Sequence, residues 1–325
     1  MIIGIDTLEY GVEDVAQSSR FFEDFGLPLV ESGAEESRFQ LDEGSTVLIR
    51  KLGDARLPRS SVNGAGVQRV VWGVDTAANL EKLTVHLARD CAVTRNADGT
   101  VHFQSDFGAA MGLRVFAKRA VVNAPDPINS PGRVNRLNQH RKWRLRARPK
   151  VIAHVVFAAP DHLKAARFMR ERLNFKLSDS QRGYGEYLRA DGTTNHHTIL
   201  LLNANLPFPG MDGKLRFHHA NFGVEDIDEI MVGANHMTRQ GWAPSGFGLG
   251  RHRIDSALFY YLPCPAGGEA EYGTDSDCVD DSWVPREWTE PLFGYASFMH
   301  NLPPFLREPP EWTFTYLTGL EKAEH

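Results

Sequence analysis

Cysteine is scarce in this chain: three in 325 residues, Cys91, Cys264 and Cys278, far apart and odd in number. That excludes a disulfide framework and predicts a reducing compartment, the cytoplasm. Long apolar runs are missing as well. No stretch approaches the roughly 18 apolar residues of a membrane span, and the opening MIIGIDTLEYGVED carries acids where a secretory leader needs a basic flank. Glycine-rich phosphate loops open none of the predicted helices, so a nucleotide cofactor has no support. Positive charge is in deficit, with a formal net charge of −5 at pH 7. Nucleic acid is therefore not expected as a partner, because phosphate binding needs a clustered basic surface. One basic stretch stands apart: Arg133 to Lys150 holds eight Lys or Arg and no Asp or Glu. Flanked by Pro125, Pro127, Pro131 and Pro149, it reads as a linker.

What remains is ordinary globular material, 42% hydrophobic and 24% charged, with a mean hydropathy of −0.34 that excludes a disordered chain. The length suits two domains of about 150 residues each.

The chain repeats itself. Ile2 to Leu29 and Lys150 to Leu177 each run as an apolar strand, an Asp (Asp14, Asp161), a helix and the start of another strand. With the two Asp aligned, Arg20-Phe21 falls on Arg167-Phe168. Leu163, Ala166, Phe168, Met169 and Leu173 recur at roughly helical spacing, and each Asp sits where an N-cap would satisfy the first turn. A second pair follows, Gln68 to Leu87 and His218 to Met237, each with a strand ending in Gly-Val-acid and then a helix. Short strand-like runs broken by Gly and Asp come after each helix: 37–41, 46–51, 101–105 and 112–118, then 184–190, 198–203, 257–262 and 269–273. The predicted fold is α+β, four βαβββ modules paired into two domains, each a curved mixed sheet with helices outside. The expected divisions are 1–120, a basic proline-rich linker at 121–149, 150–275, and an aromatic-rich tail at 276–325. The tail aromatics Trp283, Trp288, Phe293, Tyr295, Phe298, Phe305, Trp312 and Phe314 are expected to pack, with a lid or subunit contact as the lesser reading.

Thirteen histidines are scattered through the chain, and the default for each is a surface or core residue. Their placement raises three residues above that default. His154 lies in the first strand of the third unit, His219 in the first strand of the fourth, and Glu271 in the last strand of the fourth. An unpaired imidazole or carboxylate inside a strand is costly. A metal would explain three of them converging, and two imidazoles with one carboxylate suit non-haem Fe(II). Carried back through the repeat, His154 falls on Thr7 and His219 on Arg69. Setting Gly268 on Gly112 places Glu271 on Val115. The first half thus keeps the fold pattern without the candidate ligands, so one half is expected to be structural and the other catalytic. Glu269, on the same strand face, competes with Glu271.

The second half resembles the extradiol ring-cleavage dioxygenases of the vicinal oxygen chelate superfamily. The run HRIDSALFYYLPCPAGGEAEYG from His252 to Gly273 is similar to that family's signature, and His196-His197-Thr198, His218-His219 and AHVVFAAPD around His154 are similar to three further blocks in the same order. The resemblance implies His154, His219 and Glu271 as metal ligands. It implies Fe(II), with Mn(II) the rarer option. His197 would stabilise charge on oxygen and deliver a proton, Tyr261 would bind or help deprotonate a catechol hydroxyl, and His252 would orient Tyr261 or a substrate oxygen. Tyr260 points to the other face of a regular strand. On the same alternation His196 and His218 are set aside as structural. Pro263-Cys264-Pro265 stands where the family more often has a single Pro after a polar residue, which puts the local turn in doubt. Cys264 is expected to be a buried, inert thiol.

The implied activity is opening of a catechol-type ring with O2 to a semialdehyde, in a homo-oligomer acting on a small aromatic diol. The competing readings are a glyoxalase-type lyase or isomerase, a hydroquinone-cleaving or hydroxyphenylpyruvate-type dioxygenase, and a non-catalytic binding module. The first would want a second Glu ligand. The hydroxyphenylpyruvate type should lack the block from His252 to Tyr261, and a binding module needs no ligand triad.

Overall fold

The computed structural model describes residues 1–208, 210–289, 296–303 and 314–318. Local chemistry starts the helices where the sequence places them. The Asp14 carboxylate accepts from the Gln17 backbone N–H at 2.8 Å, opening α1 (Val15–Phe25), and Asp161 accepts from Lys164 at 2.9 Å, opening α3 (His162–Leu173). Helix α1 stops at Gly26, whose φ of +104° is left-handed and whose Cβ would meet the Ala147 carbonyl oxygen at 2.2 Å. Between them lies α2 (Ala77–Leu87), capped by Thr76, and last comes α4 (Ile227–Arg239), capped by Asp226.

The first sheet contains β1 (Ile2–Val12), β2 (Leu29–Ser32), β3 (Glu36–Gln40), β4 (Thr46–Lys51), β5 (Gly66–Val74), β6 (Val93–Arg95), β7 (Val101–Gln104) and β8 (Ala110–Val115). Its order is β2-β3-β4-β1-β5-β8-β7-β6. The second sheet is built from β9 (Val151–Ala159), β10 (Lys176–Gln181), β11 (Gly185–Arg189), β12 (Ile199–Asn203), β13 (Arg216–Gly223), β14 (Gly250–His252), β15 (Leu258–Pro263) and β16 (Glu269–Thr274). In each sheet the two first strands, β1 with β5 and β9 with β13, pair antiparallel at the centre. Each also has a parallel partner on its other side: β4, β8, β12 and β16 respectively. Among the described residues the architecture is thus α+β with two mixed sheets and four helices.

The two sheets share one apolar core. Phe25 stacks on Tyr272 at 4.0 Å between ring centroids, the Tyr272 hydroxyl donates to the Phe25 carbonyl at 2.7 Å, and Tyr10 packs edge-on against Phe217. Residues 121–149 form no helix or strand, yet they are pinned. Arg141, Lys142 and Arg144 pair with Glu225, Asp226 and Asp228 at the start of α4, and the Arg148 N–H donates to Glu229. Part of the basic run is therefore matched to the acidic start of a helix, where the dipole favours the carboxylates.

The tail does more than pack. It adds β17 (Arg286–Trp288), β18 (Ala296–Met299) and β19 (Phe314–Tyr316) to the edges of the second sheet, giving the order β18-β14-β15-β16-β13-β9-β12-β11-β10-β17-β19. Trp283, Trp288, Phe298 and Phe314 belong to this extension, whereas Phe293, Tyr295, Phe305 and Trp312 lie outside the described residues. The Pro263-Cys264-Pro265 departure leaves the hairpin intact: Pro263 pairs with Glu269, and the Cys264 N–H donates to Gly268 at 3.0 Å. Burial pushes the Cys264 thiol up to about 12, which makes it unreactive. Among the described residues no helix is long and apolar enough to cross a membrane.

Candidate metal centre

Strand β13 runs between β9 and β16, with Asn221 opposite both His154 and Glu271. That register carries His154, His219 and Glu271 to one point. His154 Nε2 lies 3.2 Å from His219 Nε2, and Glu271 Oε2 lies 3.3 Å from the first and 3.4 Å from the second. Donor atoms about 2.1 Å from one ion stand about 3.0 Å apart at right angles and about 3.4 Å apart at tetrahedral angles. The triangle has the size of one face of a metal's coordination shell. All three residues are buried, and neither Glu271 carboxylate oxygen has a hydrogen-bond partner. A buried carboxylate left so is expensive unless a cation satisfies it. Burial holds the His219 imidazole well below its ordinary range, hence neutral and able to ligate. Burial opposes the Glu271 charge too, but the facing imidazoles outweigh it and keep the carboxylate ionised. The donor set fits a divalent metal that accepts two imidazoles and one carboxylate. Glu269 is not part of the triangle, and burial raises its carboxyl to about 7.

A narrow cavity opens beside the triangle, lined by His154, His197, His219, His252 and Tyr261 with the apolar wall of Leu200, Leu202 and Ile254. Its volume is about 40 Å³. The His197 ring lies against His154 at 4.2 Å between centroids, and burial pushes its pKa well down. Its Nδ1 sits 3.2 Å from His196 Nδ1 and 3.8 Å from Asp255 Oδ2. Across the cavity the Tyr261 hydroxyl is 3.1 Å from His252 Nε2. Tyr260 points away into the core, its hydroxyl 3.4 Å from the Ser245 N–H. A larger cleft of about 920 Å³ lies between α2 and α3, lined by Lys82, His86 and Arg167, but it holds none of these groups.

Three of the sequence expectations require correction. His218 does not face away from His219: it lines the same cavity, and the two Nδ1 atoms are 2.7 Å apart. The pairing of β13 with β9 slips between Phe217 and His219, so His218 is the extra residue of a bulge and strict alternation fails there. His196 precedes β12, outside any strand, where alternation does not apply. It is fully buried, its Nε2 3.2 Å from Asp179 Oδ2. The repeat alignment also shifts. His219 pairs with Glu269 as Arg69 pairs with Ala110, which places Glu271 on Gly112 and not on Val115. Gly268 precedes its strand whereas Gly112 lies inside one, so matching the two glycines misplaced the register by three. The asymmetry survives the correction. The equivalent place in the first sheet holds Thr7, Arg69 and Gly112, surrounded by the ion pairs Arg69–Glu9 and Arg114–Asp6.

Asp179, Asp255 and Arg286 were not found by the sequence reading. An acid two strands from a histidine, another in the turn between β14 and β15, and an arginine in the tail carry no local signal.

The scan against protein-family models matches none. Among curated proteins, the chain is 30% identical over 134 residues to metapyrocatechase 2 of Cupriavidus necator, covering 41% of this chain and 39% of that protein. It is 32% identical over 150 residues to an iron-dependent extradiol dioxygenase of Rhodococcus jostii, covering 42% and 48% respectively. The matches therefore span less than half the length of these relatives. Among solved structures, a halotolerant catechol dioxygenase superposes with a TM-score of 0.71 at 19% identity, over 98% of this chain and 99% of that one. A Mn(II)-bound glyoxalase from Novosphingobium aromaticivorans gives 0.70 at 22%, over 95% of each. The fold over nearly the whole chain is that of these enzymes.

Proposed function

We propose that the chain is an extradiol dioxygenase that opens the ring of a catechol-type diol with O2. The observation that carries the reading is the convergence of three sets of groups on one cavity: the His154–His219–Glu271 triangle, His197 packed against His154, and the Tyr261–His252 pair across from it. Fe(II), held by His154 Nε2, His219 Nε2 and the Glu271 carboxylate, would supply binding of both diol oxygens and electron transfer between ring and O2. The protein's own groups do the rest. Tyr261, with its hydroxyl against His252, receives or shares the proton of a diol hydroxyl as the diol binds. His197, on the far side of His154, stabilises charge developing on oxygen and returns a proton to the opening ring. Leu200, Leu202 and Ile254 hold the ring by apolar contact and keep water out. In this reading residues 1–120 are structural, 121–149 tie the halves together, and 150–275 with the strands of the tail carry the chemistry. The three cysteines, all free, support a cytoplasmic setting, and a homo-oligomer is the assembly we expect.

A glyoxalase-type reaction is the second reading, favoured by the similarity to the Mn(II)-bound glyoxalase. It leaves His197 and Tyr261 without a task, and Glu269 lies outside the ligand triangle where a second glutamate would be wanted. Oxygen uptake separates the two. Protein reconstituted anaerobically with Fe(II), or with Mn(II), is given catechols and hydroquinones while oxygen and absorbance are followed. Stoichiometric uptake with a yellow product, lost in His219→Ala, is the expected result. No uptake on any diol, with one metal bound per chain, would overturn the proposal in favour of oxygen-independent chemistry.

A further inference from the structure

We infer that Asp179, His196 and Arg286 form a buried relay that fixes the tautomer of His197, presenting its Nε2 to the cavity as a bare proton acceptor. The inference deepens the ring-cleavage reading and rests on it for its catalytic consequence alone.

Asp179 is fully buried on β10, and the tail strand β17 closes over it. Arg286 donates to it from its backbone N–H at 2.9 Å and from Nε at 3.0 Å, and the Trp288 indole N–H adds a bond at 3.3 Å. The guanidinium is itself held over the rings of Trp283 and Trp288 and donates to the Ile254 carbonyl at 2.6 Å. With N–H donors from Arg286 and Trp288 around it, the carboxylate serves as an acceptor. The His196 nitrogen facing it, Nε2 at 3.2 Å, therefore carries a proton. Arg286 already matches the Asp179 charge, and the relay takes one proton on His196, on the nitrogen that faces the carboxylate. Its Nδ1 is then a lone pair, aimed at His197 Nδ1 at 3.2 Å. That contact is a hydrogen bond only if His197 Nδ1 carries the proton, and Asp255 Oδ2 at 3.8 Å favours the same choice. The remaining nitrogen, Nε2, is left bare toward the cavity. His197 must take up a proton before it can give one, so the proton returned to the opening ring is one that the diol itself has released. Asp179, His196 and Arg286 are positioning residues, as the carboxylate behind a catalytic imidazole is elsewhere.

Full-length protein labelled with ¹⁵N-histidine tests this through its long-range ¹H–¹⁵N side-chain spectrum, read without metal, with His196→Gln and His197→Gln used only to assign the signals. The expected spectrum at neutral pH has His196 protonated on Nε2 alone and His197 on Nδ1 alone. In Asp179→Asn the amide oxygen stays with Arg286 and the NH2 turns to His196, so both tautomers exchange. On the Fe(II)-loaded enzyme the same variant should lower kcat by about 10- to 100-fold while KM for the diol holds. A doubly protonated His196, or His197 protonated on Nε2 in the unsubstituted protein, overturns the relay even if Asp179→Asn fails to fold. Unchanged tautomers and kcat in a folded Asp179→Asn overturn it too. Because the spectrum does not depend on turnover, a protein that cleaves no diol but shows these tautomers sinks the reaction and leaves the relay standing.

Discussion

His154 Nε2 and His219 Nε2 face each other at 3.2 Å across antiparallel β9 and β13, and Glu271 closes the triangle from β16. As metal ligands, the two imidazole nitrogens and the carboxylate would each point a lone pair at one centre. A cation at their centre satisfies all three at once, and without it the arrangement costs the fold stability.

Glu271→Gln should therefore stabilise the metal-free protein, because the amide buries no charge and its N–H can donate to an imidazole nitrogen. The gain is about 1–3 kcal/mol, the scale of one unsatisfied buried group. Thermal unfolding with chelator checks the sign. Added Fe(II) should then raise the melting temperature of the parent protein and not of the variant. A less stable metal-free variant would mean that the carboxylate has another partner.

Tyr261 and His252 touch at 3.1 Å and should act as a unit. Tyr261→Phe and His252→Phe are each expected to lower kcat/KM by about 10²- to 10⁴-fold, and the double variant should be no worse than the poorer single. Losses that simply multiply would show that the two groups serve separate steps.

The cavity wall predicts control of substrate size. Leu200→Ala should shift the kcat/KM ratio toward a bicyclic over a monocyclic diol by about tenfold or more. The truncation costs about 2–5 kcal/mol of stability, so Ile254→Val is the gentler companion, with a smaller shift in the same direction. An unmoved ratio in both places the ring against a different wall.

Stability should respond to pH through Glu186. This residue is buried on β11, and although Ser180 donates to it at 2.8 Å, burial raises its carboxyl to about 7. The fold keeps it protonated where the unfolded chain, with a carboxyl near 4.5, has lost the proton. Its contribution to stability is thus whole below about pH 4.5 and declines as pH rises to about 7. Glu186→Gln, always neutral, should gain on the parent by about 3 kcal/mol between pH 4.5 and pH 8. Urea titrations at the two ends measure it, and a difference independent of pH would contradict the shift.

Much of the fold was legible because its signals are local. Asp14 and Asp161 cap the helices they precede, and the run 46–51 is a strand over the same residues. The repeat exposed the shared pattern of the two halves, and His154, His219, Glu271, His197, His252 and Tyr261 do come together. Where the reading missed, a single-residue irregularity or a distant partner was responsible. Alternation put His218 on the wrong face because a bulge adds one residue to β13. The glycine match misplaced Glu271 by three positions because Gly268 lies in the turn before its strand and Gly112 lies inside one. The tail was read as packing because β17 pairs with β10 more than a hundred residues earlier.

The amino-acid sequence by itself determined the kind of chemistry available: the imidazoles and carboxylates inside strands, the caps, the repeated apolar pattern, and the absence of equivalent ligands in the first half. These follow from residue type and near-neighbour spacing. Only the tertiary structure decided the sizes and directions. The 3.2–3.4 Å triangle depends on the register of three strands. The meeting of His196, Asp179 and Arg286 depends on a parallel pairing across 107 residues. Hydrogen bonds act over a few ångströms whatever the separation along the chain, so their partners appear only once the chain has folded.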